Sequence, residues 1–367
     1  MSVPHVARTR MRPLVTLLVI SAVLAGPDPL AGQQVETFRL PGDAVAVYNL
    51  AGKVQVRDGT GSEVAVTVHR RGPDAGRLAV QTGRVDTNQD GFGTVASLRV
   101  IYPQETIVYA DGTGSTEIRV RSDGTFFGGY EEGRAEGRKV RIRDSGSGVS
   151  AHADLEIAVP DGRALYLALA TGEVRVENVT GRLYVDVASA DIVSSGGSGD
   201  FVFDTGSGDV EVDAHEGGLA CDTGSGDVQI NNVQGGELTF DTGSGNVTGG
   251  SLRASRLIAD TGSGDVRLDG LRADRVTADT GSGDVELEFD SSPVDLLVDV
   301  GSGDVRIRVP NGYGATVEVD TGSGGIHTGL PIQVLEIGED RLRGTIGDGS
   351  GQLRIDTGSG DVRIEAR

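Results

Sequence analysis

The chain has 367 residues, 58 of them glycine, with no tryptophan and one cysteine, Cys221. A formal net charge of −21 excludes a protein that holds nucleic acid or anionic lipid by bulk charge, since such surfaces repel it. A lone cysteine excludes a disulfide framework, and only 7 tyrosines and 8 phenylalanines suit thin, regular layers better than a thick globular core.

At the N-terminus Arg8, Arg10 and Arg12 precede the apolar run Leu14–Ala25, followed by Gly26-Pro27-Asp28-Pro29. The run is too short to span a bilayer. Residues 1–32 therefore read as a signal peptide, with cleavage between 25 and 33. No cysteine directly follows the run, which disfavours a lipid-anchored form, and no second hydrophobic segment appears, so an exported chain is expected, in the periplasm, at the cell surface or outside the cell, with no membrane span. Residues 1–32 carry three arginines and one aspartate, which leaves the remainder near −23. Such a charge favours cations or basic partners.

Residues 33–163 read as an N-terminal β region. Val45, Val47, Val54 and Val56 flank Tyr48 in the manner of one coil of a repeat, and residues 63–68 alternate as a strand. Residues 71–163 break the period. The pattern predicts strands at Leu98–Tyr102, Thr106–Tyr109, Glu117–Arg121, Lys139–Arg143 and Leu155–Val159, with Ser122–Arg138 as a mobile hairpin tip. Ser145-Gly146-Ser147-Gly148 imitates the repeat that follows, but Arg141 and Arg143 stand where apolar residues are needed, so it reads as a turn. The whole region is expected to be an elaborated cap, with a separate small β-domain as the rival reading.

Residues 164–367 are repetitive. Asp-Thr-Gly-Ser-Gly starts at Asp204, Asp222, Asp241, Asp260, Asp279, Asp320 and Asp356, and Asp299 starts a copy with Val300 in place of threonine. The steps are 18, 19, 19, 19, 20, 21 and 36 residues. A period near 19 marks a solenoid, each repeat forming one coil stacked on the last. With the first aspartate as position zero, apolar residues stand one and three before it and six after it, as Ala259, Leu257 and Val266 do around Asp260. Alternation of this kind places one strand on each side of a Gly-Ser-Gly corner, where glycine is expected for backbone angles that a Cβ forbids. Leu165, Leu167, Val174 and Val176 fit an earlier coil, and Leu183, Val185 and Ile192 the next. Position plus one accepts Thr, Val or Leu and so points inward, with threonine hydroxyls bonded along the stack. Leu335 and Ile337 sit where the 36-residue step lacks a copy. The fold class is therefore all-β: a single-stranded, β-helix-like solenoid of about ten coils with an irregular N-terminal cap. At about 4.8 Å per stacked strand it is a rod of about 48 Å. One coil alone buries too little to offset its ordering entropy, so cohesion is cooperative.

Two columns of carboxylates follow from the period. One is position zero. The other is position five: Asp209, Asp227, Asn246, Asp265, Asp284, Asp304, Gly325 and Asp361. Hard oxygen donors at loop corners suit calcium, which makes Asp209, Asp227, Asp265, Asp284, Asp304 and Asp361 the candidate ligands. The competing reading is that each aspartate caps its own turn through a backbone N–H. Asp-Thr-Gly-Ser also occurs in the active-site loop of aspartic proteases, but those enzymes use two copies in two lobes, and here the motif recurs in every coil. His69, His152, His215 and His327 make no metal spacing, Cys221 takes an inward position, and no catalytic constellation or cofactor site is assigned.

Set out in this way, the chain resembles the bacterial "putative adhesin" family, a domain of unknown function in the style of the head-GIN adhesins. The likeness rests on the Gly-Asp/Asn-Val step at ~19-residue spacing, on Val54-Gln55-Val56, and on Val159-Pro160-Asp161-Gly162 followed by Leu165-Tyr166-Leu167. It covers most of residues 40–367. The resemblance implies an exported β-solenoid without known catalysis. The expected function is a non-catalytic binding protein of the cell envelope, directed at a surface, polymer or protein. The alternatives are a calcium-loaded structural or envelope-stress accessory protein and a polysaccharide-active β-helix enzyme. An enzyme should break its repeat to build one cleft, whereas these coils are most regular where the acids are densest.

Overall fold

In the computed structural model the described residues are 34–87, 89, 91–112, 114–127 and 137–367. The expected signal peptide and residues 128–136 of the expected hairpin tip lie outside them. The described chain is β throughout except for a single 3-10 turn, Ala75–Arg77. No helix among the described residues is long and apolar enough to cross a membrane.

The strands form a parallel ladder in which residues one period apart lie side by side. Leu183 pairs with Phe201, Phe201 with Leu219, Leu219 with Leu238, and Leu238 with Leu257. On the other side of the corner Val210, Val228, Val247, Val266 and Val285 form a matching column, all fully buried. Cys221 stands in the register of Phe203 and Phe240, and burial pushes its thiol well above the usual range.

The glycine corners have a different cause from the one the sequence suggests. Most corner glycines keep ordinary negative or extended backbone angles. What demands glycine is the coil beneath: a Cβ on Gly226 would lie 1.9 Å from the carbonyl oxygen of Gly208, and one on Gly224 would lie 2.5 Å from that of Gly206. The threonine ladder is inward, as expected. Except at Thr321, which bonds to Gly324 in its own corner, the hydroxyls reach to a carbonyl in the neighbouring corner, Thr242 to Gly226 at 2.9 Å and Thr261 to Gly245 at 2.8 Å.

Coils follow chain order up to residues 295–309 and then change order. The strands Asp295–Val300 and Val305–Val309 pair with Gly351–Thr357 and Val362–Ala366. That last coil in turn pairs with Ala315–Thr321 and Ile326–Thr328. The C-terminal coil is thus intercalated between two coils that precede it in sequence. Leu335 and Ile337 do not form the missing copy. They lie in an antiparallel hairpin, Ile332–Ile337 with Arg341–Ile346, added to Ala315–Thr321, and their side chains are 80% and 74% exposed.

At the other end Ala44–Gly59 makes one coil against Arg163–Glu177. Its outer edge is taken by two different segments, Ala96–Arg99 along Val45–Tyr48 and Leu155–Pro160 along Val54–Gly59. Residues 106–108, 115–120, 138–143 and 149–150 make a second, four-stranded sheet. The insertion also covers the outer face of the first coils. Tyr48 and Tyr166, which face away from the stack, are buried against Phe126 and Phe92 at ring distances of 5.7 and 6.0 Å.

Candidate functional site

The position-five column is the most regular polar feature. The backbone N–H of Asp227 donates to Oδ1 of Asp209, that of Asn246 to Asp227, that of Asp265 to Asn246, that of Asp284 to Asp265 and that of Asp304 to Asp284, at 2.8–3.0 Å. The run continues through the intercalated coil, from Asp361 N–H to Asp304 and from Gly325 N–H to Asp361. Each candidate calcium ligand is therefore engaged through one carboxylate oxygen in holding the next coil, and not its own turn. Parallel stacking explains this: it brings the amide of the neighbouring corner over each carboxylate. Asn246 serves as well as aspartate because its Oδ1 accepts the same bond. Gly325 has no oxygen to offer a further layer, and the coil that carries it is the last in the stack. Among the described residues no three metal-capable side chains converge.

The position-zero column is different in kind. In spatial order it runs Asp186, Asp204, Asp222, Asp241, Asp260, Asp279, Asp299, Asp356 and Asp320, each beside the next. Neighbours are about 4.8 Å apart, so like charges meet at every step. Within this column, as far as the described residues go, only Asp320 forms an ion pair, with Arg341. The carboxyls respond. Asp186 is pushed up to about 7, first by burial and then by Asp204, against the lowering effect of a 3.1 Å hydrogen bond from the Tyr166 hydroxyl. Burial and flanking aspartates also raise Asp204, Asp241 and Asp279.

The outward face of the second strand balances its charges instead. Arg267 reaches Asp265 at 2.7 Å, Arg306 reaches Glu365 at 3.0 Å and Arg308 reaches Glu288 at 3.2 Å. A third side carries a shallow groove of about 750 Å³ along Gly199, Gly217 and Gly235, bordered by Gln234, Arg253 and Arg272. Here too glycine permits close stacking, since a Cβ on Gly217 would stand 2.0 Å from the Gly199 carbonyl. His215 is core, with its ring against Phe201 at 4.7 Å, and His327 is exposed. The arrangement offers rows of identical groups at coil spacing, suited to multivalent contact along the stack.

The sequence reading missed three parts of these rows, and the first is Asp191, whose Oδ1 accepts the Asp209 N–H at 3.0 Å and so begins the position-five run one coil earlier. Asp186 extends the acidic ladder by one rung, and its position 18 residues before Asp204 was the available signal. The glycine column Gly181, Gly199, Gly217 has the same 18-residue spacing and was hidden by the abundance of glycine.

A family model described as Toastrack DUF4097 matches residues 146–365. Among solved structures, a "putative cell adhesion protein" from Clostridium sporogenes is similar at 10% identity, with 91% of this chain and all of that chain covered and a TM-score of 0.19. No curated protein matches the chain.

Proposed function

The chain belongs to the Toastrack DUF4097 family, and from that premise we propose that it is an exported, non-catalytic, adhesin-like scaffold of about ten coils and a cap. It binds a surface, polymer or protein of the cell envelope through its repeated outer faces. The observation that carries this reading is the position-zero ladder: a row of like charges, unpaired along most of its length, held on a parallel ladder of strands. A row of this kind is costly to stability and is relieved when a partner brings positive groups at matching intervals. Multivalency then turns weak single contacts into stable attachment.

The test is retention of the chain on native envelope material, compared with a variant in which Asp222, Asp241, Asp260 and Asp279 are all asparagine. The variant should fold with equal or greater stability and lose most of its retention, more so at low salt. Equal retention of both proteins would falsify the ladder as the binding row.

A second reading, a calcium-loaded structural scaffold, is favoured by the aspartates that flank Asp241 and Asp279 and, after burial, help to raise their carboxyls, because a divalent cation relieves that repulsion. Its ligands are the second oxygens of Asp209, Asp227, Asp265, Asp284, Asp304 and Asp361 or the ladder itself. Millimolar calcium should then raise the melting temperature by several degrees; no shift ends this reading.

A further inference from the structure

The threonine ladder and the position-five row repeat one residue type because each rung does the same stacking job. The row on the third side of the coils does not repeat. There Ser198, Glu216, Gln234, Arg253 and Arg272 lie side by side on successive coils, presenting in turn a hydroxyl, a carboxylate, an amide and two guanidinium groups. Glu216, Gln234 and Arg253 are exposed, and among the described residues their side chains make no hydrogen bond or ion pair. Arg272 holds Asp290 at 3.2 Å. Coil stacking makes no use of Glu216, Gln234 or Arg253.

This row walls the groove of about 750 Å³, in which Ser255 and Asp274 stand two residues along the strand from Arg253 and Arg272. It also borders a second hollow of about 330 Å³ beside Asn232 and Asp290. Its five rungs span four steps of about 4.8 Å, or about 19 Å along the stack. The lining decides what can lie there. Ala254 supplies the one apolar side chain and no aromatic ring takes part, so an apolar ligand would bury almost nothing. The amides of the floor are spent between coils, Glu216 N–H on the Gly197 carbonyl and Gly217 N–H on the Gln234 carbonyl, so an extended peptide finds no strand to pair with. A polyanion meets Glu216 and Asp274 on a chain whose net charge is already −21, which repels it. A hydroxyl both donates and accepts. A chain of hydroxyls therefore gives donors to Glu216 and Asp274 and acceptors to Gln234 and Arg253.

We propose that this groove binds a neutral, linear polysaccharide laid along the stack, with Glu216, Gln234, Arg253 and Asp274 as its hydrogen-bonding contacts. The proposal deepens the envelope-binding reading, on which it rests for its setting, and uses none of the residues of the acidic ladder. Each coil contributes one or two contacts, so affinity grows with the length of the polymer. The changing row also gives direction, because its carboxylate end and its guanidinium end ask for different partners.

Isothermal titration calorimetry of the full chain tests this, with linear neutral hexasaccharides of glucose, xylose, mannose and N-acetylglucosamine as probes and hexagalacturonate as the charged counterpart. The expected result is saturable binding of at least one neutral probe, little changed by added salt. The double variant Gln234→Ala, Arg253→Ala should raise its dissociation constant at least about tenfold and leave the melting temperature unchanged, because both side chains stand in solvent. The variant with asparagine at Asp222, Asp241, Asp260 and Asp279 should bind the same probe as the parent does, so failure of the ladder and failure of the groove are read separately. Binding of no neutral probe, tighter binding of hexagalacturonate that salt abolishes, or a double variant that binds like the parent would overturn the proposal.

Discussion

The stack over residues 198–309 and the segment 71–160 are both β structure, but they spend their polar groups differently. In the stack nearly every polar contact goes one coil up or down and repeats, as the Asp227–Asp209 and Thr242–Gly226 bonds do. In the N-terminal segment the contacts are single and long-range. Asn49, fully buried, donates to the Ala153 carbonyl at 2.7 Å and accepts from the Tyr102 hydroxyl at 2.9 Å, and Arg71 reaches Asp154 at 2.5 Å. A repeated contact shares its load among layers, whereas a unique contact has no substitute.

The comparison is broken most severely by placing a charge in the stack. Val266→Asp puts an unpaired carboxylate in a fully buried column and should cost several kcal/mol, roughly 3–5, unfolding neighbouring coils together. Denaturant melts followed by hydrogen exchange check this, and protection lost only at residues 260–270 would deny the shared load. Asn49→Leu is next. It removes the amide donor to the Ala153 carbonyl and leaves the Tyr102 hydroxyl only its bond to the Ala51 carbonyl, at a cost of about 1–3 kcal/mol, and protection should fall in residues 94–160 while the stack keeps its own. Gly226→Ala forces a Cβ onto the Gly208 carbonyl and should cost about 1–3 kcal/mol. Gly236→Ala meets nothing within 4 Å and should be neutral within about 0.5 kcal/mol. Equal effects of these two alanines would remove coil-to-coil approach as the reason for corner glycine.

The smallest effect sharpens the comparison through pH. Asp186 sits where segment and stack meet, and its folded pKa of about 7 lies above the ordinary carboxyl value of 3.8. Between these values the unfolded chain has lost a proton that the folded chain keeps, so stability falls as pH rises from 4 to 7. Asp186→Asn should flatten that slope and stabilise the protein at pH 8, read from urea midpoints at pH 5 and pH 8. An unchanged slope would assign the pH dependence to other groups.

The period exposed the inward columns, the threonine ladder and both rows of aspartate, because each is a local rule repeated many times. It did not expose coil order. Every repeat presents the same register to its neighbours, so nothing in Asp356–Asp361 says whether that coil stacks on Asp320 alone or between Asp299 and Asp320. Gly325 held part of the answer, since a corner without a side-chain oxygen cannot cap another layer. Leu335 and Ile337 misled for the same reason: alternating apolar residues look alike whether they face a core or open water. The covering of Tyr48 and Tyr166 by Phe126 and Phe92 depends on contacts between distant, non-repeating segments, and no spacing announces it.

The intercalated C-terminal coil sets the order of events in biogenesis. A chain emerging from the ribosome or an export channel makes residues 315–328 before the layer on which they finally rest. Those residues must wait, or seat provisionally on 295–309 and be displaced when 351–366 arrive. Assembly of this end therefore cannot finish until residues 351–366 have been made and are free to insert between the two layers made before them.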